Sequence, residues 1–78
     1  MQYFVRTMEK QDRGNTFGPE IACSGLVAAK AEAKRIIMAS DPALRLLADA
    51  CSRNGSLVRT MYRCWINDQG SFQESALL

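Results

Sequence analysis

The stretch from Ser56 to Asn67, Ser-Leu-Val-Arg-Thr-Met-Tyr-Arg-Cys-Trp-Ile-Asn, constrains the fold more than any other part of the chain. It is dominated by β-branched and aromatic residues and reads as one long β-strand. Side chains on a strand alternate between two faces. One face is expected to carry Val58, Thr60, Tyr62, Cys64 and Ile66, the other Leu57, Arg59, Met61, Arg63 and Trp65. The first set suits packing against helices. The second mixes arginine with apolar and aromatic groups, which suits contact with a partner.

The remaining segments supply what such a strand needs. Gln2 to Glu9 alternates like a first strand, and Thr16 to Cys23 returns as a second, limited by Gly18-Pro19 because proline cannot donate to a ladder. Gly14-Asn15 is turn chemistry between them. From Leu26 to Ser40 the pattern is helical: Leu26, Ala29, Ala33, Ile36 and Ile37 fall on one stripe, with Ser24 placed to cap. Asp41-Pro42 ends that helix and is placed to start another. A second helix is therefore expected from Pro42 to about Arg53, with Ala43, Leu46, Leu47, Ala50 and Cys51 as its stripe and Asn54-Gly55 as its left-handed stop. One kinked helix over 26–53 satisfies the same pattern. Asn67 to Gly70 reads as a tight turn, and Ser71 to Ser75 as a short last strand.

These elements predict a single α+β domain over residues 1–78: an antiparallel sheet of three or four strands, with one or two helices packed on one face. Ala33, Ile36, Ile37, Leu46, Leu47, Ala50, Val58, Tyr62 and Ile66 are the expected core. Phe4-Val5-Arg6-Thr7-Met8 echoes Leu57-Val58-Arg59-Thr60-Met61. If both strands join one sheet with the same faces inward, Arg6, Met8, Arg59 and Met61 share the outer face with Phe4, Arg63 and Trp65.

Composition narrows the chemistry. The chain has no histidine, which removes histidine-based acid–base catalysis, Ser-His and Cys-His nucleophile pairs and most zinc sites. Cys23, Cys51 and Cys64 are widely spaced and form no C-x-x-C pair, so they read as small buried hydrophobes in a reducing, cytoplasmic setting. The eight carboxylates are scattered, and no phosphate-binding or nucleophile-elbow motif occurs. No apolar run approaches the ~18 residues of a membrane span. The expected protein is not an enzyme and needs neither cofactor nor metal.

A binding function remains. Net charge is +2, with seven arginines against three lysines, and arginine is the residue of planar and stacked contacts. Arg6, Arg59, Met61, Arg63 and Trp65 are the candidate partner-binding residues, and Lys30, Lys34 and Arg35 on the first helix form the competing surface. Such a face serves a protein partner, whose hot spots favour Trp, Tyr and Arg, or nucleic acid through stacking and phosphate contacts. Both a monomer and a homodimer through a strand edge fit the pattern.

With a strand at Tyr3 to Thr7, an amphipathic helix around Ala33-Lys34-Arg35-Ile36-Ile37 and a strand at Leu57 to Ile66, the chain resembles the small phage-encoded anti-CRISPR proteins in size and strand–helix–strand–strand layout. The resemblance covers most of the chain as architecture; that group shares no motif, and no site residues carry over. It implies a non-enzymatic inhibitor that binds a larger protein or nucleoprotein complex. The slightly basic composition departs from the carboxylate-rich nucleic-acid mimics in that group, so the partner surface is expected to be acidic protein or nucleic acid.

Overall fold

The computed structural model of the chain describes residues 1–11 and 14–77. Strand β1 (Gln2–Gln11) runs nearly the full length of the sheet and is met on one side by two short strands, β2 (Gly14–Phe17) and β3 (Ile21–Cys23). Gly18-Pro19 separates them, as a residue without a backbone donor should. Helix α1 (Leu26–Ala39) follows, then a single 3-10 turn at Pro42–Leu44. Strands β4 (Leu46–Asn54), β5 (Leu57–Ile66) and β6 (Phe72–Ala76) complete the chain. All pairings are antiparallel, in the order β2-β1-β4-β5-β6 with β3 also on β1. The α+β class is as expected, but the sheet has six strands rather than three or four, and it carries one helix.

The largest departure is at Pro42 to Arg53. Asp41 does cap: its Oδ1 accepts from the Ala43 N–H at 3.0 Å, with proline in the first turn. The turn then stops, because Arg45 adopts a left-handed conformation (φ 51°, ψ 49°) that redirects the chain into β4. The segment expected as a second helix is thus the central strand, hydrogen-bonded on both edges and buried from Ala48 to Ser52. Asn54-Gly55 is a hairpin device instead of a helix stop: Gly55-Ser56 joins β4 to β5, with Gly55 at φ 63°.

α1 begins at Gly25 without a side-chain cap, so Ser24 does not serve as one. It ends where the Ser40 hydroxyl and N–H both donate to the Ile37 carbonyl, at 2.9 and 3.3 Å, just before Asp41-Pro42. Its buried side presents Ala29, Ala33 and Ile37 to Val5, Ala48, Ala50, Tyr62 and Cys64. Alanines on both layers bring the helix axis close to the sheet. Ile36, Leu46 and Ile66 are only half-buried at the margin of this core. Leu47 and Val58, also expected in it, lie on the other side of the sheet.

The reason for Val58 is a β-bulge. Ala50 faces Tyr62, but Cys51 faces Thr60, so Met61 is an extra residue on β5. Beyond it, Tyr62 and Cys64 point to α1 as the alternation predicts. Before it, Val58 and Thr60 lie opposite Arg53 and Cys51 and point away from the helix. The Cys51 Sγ and Thr60 Oγ1 approach to 4.0 Å on that face.

Candidate protein-interaction surface

α1 covers one face of the sheet, and no other helix lies over the second face among the described residues. Directly opposed residues of antiparallel strands share a face, so the register assigns the open face in rows that cross the strands. One row is Arg6, Asp49, Arg63 and Ser75. The next is Phe17, Met8, Leu47, Trp65 and Gln73. On the other side of the charged row lie Ala22, Phe4, Cys51 and Thr60, and beyond them Gln2, Arg53 and Val58.

The charged row is built around a carboxylate that is only 5% exposed. Asp49 accepts from Arg63 Nε at 2.8 Å and Nη2 at 3.0 Å, a two-pronged pair that satisfies both oxygens. These hydrogen bonds hold the Arg63 guanidinium further into its charged form. A second pair lies beside it. Arg53 donates to both Glu20 oxygens at 3.0 and 2.8 Å while its guanidinium lies 4.5 Å from the centre of the Phe4 ring. The hydrogen bonds from Arg53 hold the Glu20 carboxyl below the usual carboxylate range. Phe4 is thereby buried although it sits on the open face.

The apolar row is different, because among the described residues no helix or strand lies over it. Phe17 is 61% exposed, with the Arg6 guanidinium 5.7 Å from its ring centre. Met8, Leu47 and Trp65 are half-buried. At the Trp65 end the row opens into a shallow cleft lined by Arg45, Leu46, Leu47, Ile66, Asn67 and Asp68. Asn67 shapes that end: its Oδ1 accepts from the N–H groups of Gln69 and Ser71 and fixes the turn into β6.

Of the candidate residues, the structure brings Arg6, Arg63 and Trp65 to one face. Arg59 lies opposite Ser52 on the helix side, before the bulge, and is exposed. Met61 is the bulge residue, and its carbonyl accepts from the Leu77 N–H at 3.0 Å. The competing helix surface is partly occupied with packing: Lys30 and Lys34 each place their ammonium 5.7 Å from the Tyr62 ring centre, and Arg35 is paired with Glu32. The polar loop from Asp12 to Asn15 is a further place for a site if neither surface serves, and its Asp12-Arg13 lies outside the described residues. Phe17, Arg45, Leu47 and Asp49 escaped the sequence reading. A period-two reading of Leu46 to Asn54 would have found the last two.

The described residues hold no cluster of three side chains able to bind a metal ion, and no helix long and apolar enough to cross a membrane. Cys51 and Cys64 are buried thiols. Burial pushes Cys64 from 9.0 up to about 11, and burial also raises the Tyr62 phenol, whose hydroxyl has no hydrogen-bond partner among the described residues. In the unfolded chain these groups ionise at lower pH than in the folded one. Stability is therefore full below about pH 9 and falls as pH rises towards about 11, by up to about 2–3 kcal/mol for the thiol alone. Urea unfolding at about pH 8 and about pH 10.5 should show this alkaline loss, and Cys64→Ala should shrink it. An equal loss in both proteins would place its origin elsewhere.

The chain matches no protein-family model, no curated protein and no solved structure in the comparisons made.

Proposed function

We propose that this is a non-enzymatic binding protein that docks a larger protein or nucleoprotein through its open sheet face, acting in the cytoplasm in the manner of small phage-encoded inhibitors such as anti-CRISPR proteins. The observation that carries the reading is the uncovered row Phe17–Met8–Leu47–Trp65 beside arginines already held by carboxylates. Interface cores favour aromatic residues, methionine and arginine over other charged groups. A strand face that merely meets water has no need of a phenylalanine, a methionine, a leucine and a tryptophan in line.

Direct nucleic-acid binding is the weaker reading on the same face. Arg53 and Arg63 carry a carboxylate each, which opposes phosphate contact, and Phe4 lies beneath Arg53 where no base can stack. A mobility shift with short oligonucleotides at low salt, lost steeply as salt rises, would reverse this ranking.

The direct test is to recover partners on the tagged wild-type protein and compare Phe17→Ala and Trp65→Ala. Phe17 is exposed, so its replacement should leave folding intact. Each variant should weaken partner binding at least about fivefold, or about 1 kcal/mol. Retention by both variants, with loss in Lys34→Glu, would move the site to the helix.

A further inference from the structure

Taking the open-face reading as its basis, we propose that the partner element received there is an acidic amphipathic helix lying across the strands, along the row Phe17–Met8–Leu47–Trp65.

Length comes first. The row crosses four neighbouring strands, β2, β1, β4 and β5. Strands lie ~4.8 Å apart, so its ends are about 14 Å from each other. A helix rising 1.5 Å per residue presents positions i, i+3, i+7 and i+10 along about 15 Å of one side, one apolar group for each member of the row. An extended segment of that length turns only about three side chains toward the sheet, one short of the row.

Charge comes second. Arg35, Arg53 and Arg63 each have a carboxylate partner, whereas Arg6 and Arg45 form no ion pair among the described residues. These two flank the row on opposite sides: Arg6 precedes Met8 on the same face of β1, and Arg45 precedes Leu47 at the start of β4. Asp68 lines the cleft with Arg45 but forms no ion pair with it. Acidic residues on both flanks of a helix would meet both arginines. The protein's own helix does not meet this description, because its exposed side carries Lys34 and Arg35, so a second copy is a poor occupant.

Backbone conformation is the third observation. Arg45 holds φ 51°, a region that side chains other than glycine and asparagine rarely adopt, and it does so with an exposed side chain at the rim of the Trp65 cleft. Glycine would end the 3-10 turn with less strain. An arginine at this position makes sense if its charge is used.

The chain has one tryptophan, so Trp65 fluorescence reports on this surface directly. Two designed peptides would be titrated, each with leucine at i, i+3, i+7 and i+10, one with glutamate and one with lysine on the flanks. The glutamate peptide should bind saturably, at least about tenfold tighter than the lysine peptide. Arg6→Ala and Arg45→Gly should each weaken it at least about threefold, with the melting temperature of Arg45→Gly equal to or above that of the wild type. Equal binding of both peptides, or no effect of Arg45→Gly, overturns the proposal. So does displacement by a single-stranded oligonucleotide of higher affinity, or self-association in sedimentation that Phe17→Ala abolishes. If neither peptide binds while Trp65→Ala still costs the natural partner, the acidic helix is refuted and the open-face reading survives. If Trp65→Ala keeps that partner, both fall.

Discussion

Arg63→Ala is expected to destabilise the domain by about 2–4 kcal/mol, while Arg59→Ala stays within about 0.5 kcal/mol. The two residues are four apart on one strand, and the sequence treats them as equivalent. The structure does not, because Arg63 is the partner of a carboxylate that water scarcely reaches. Removing one member of a buried pair leaves the other uncompensated, at a cost of about 3–5 kcal/mol. Two features lower the figure here: the Arg63 side chain is itself 36% exposed, and Arg6 lies across the strand from Asp49, where it can share the charge. Asp49→Ala should cost a similar amount, since it leaves Arg6 and Arg63 facing an empty site between them. The double variant should cost less than the two single changes added together, which is the signature of direct coupling. Urea midpoints of the wild type and the four variants decide the matter. Equal midpoints for Arg59→Ala and Arg63→Ala would mean that the ion pair contributes nothing.

Ile37→Ala should have an effect of the same size, about 3–4 kcal/mol. Ile37 is the largest side chain fully enclosed by α1 and the sheet, at 1% exposure. The cluster around it also holds Val5, Tyr62 and Cys64, but four of its members, Ala29, Ala33, Ala48 and Ala50, have single methyl groups as side chains. They have no rotamers with which to fill a void, so the cavity left behind should persist and the full cost should be felt. Ile36→Ala, at a half-buried neighbour, should cost less than half as much, and Val27→Ala on the exposed side almost nothing. A midpoint for Ile37→Ala close to that of Ile36→Ala would show that the layers collapse onto the vacancy.

The elements whose patterns admit one reading were legible: β1, α1, the Asn67–Gly70 turn, β6 and the body of β5. Pro42 to Asn54 was not, for three separable reasons. Leu46-Leu47 and Ala50-Cys51 put apolar residues at both helical and strand spacings. Alanine favours helices in isolation, yet small side chains are what a strand beneath a close-packed helix requires. Asn54-Gly55 ends a helix and joins a hairpin equally well. The capping signal at Asp41-Pro42 was real, but capping starts a helix without setting its length, and one residue in a left-handed conformation ended it after a turn. With β4 taken for a helix, Asp49 had no place opposite Arg63, and so the site was read as three equivalent arginines when one of them is structural.

The extra residue at Met61 has a consequence for how β5 is used. Alternating positions along a strand act as a code with two letters, inside and outside. Here the code is written in two frames. Residues up to Thr60 follow one and residues from Tyr62 follow the other, so the strand supplies the exposed apolar row from odd positions at one end and its outer surface from even positions at the other. A change such as Val58→Arg and a change such as Cys64→Arg, alike in parity, therefore act on opposite sides of the molecule. The bulge thereby sets Val58 and Thr60 on the same open face as Arg63 and Trp65, so one strand lays side chains of both parities on that surface.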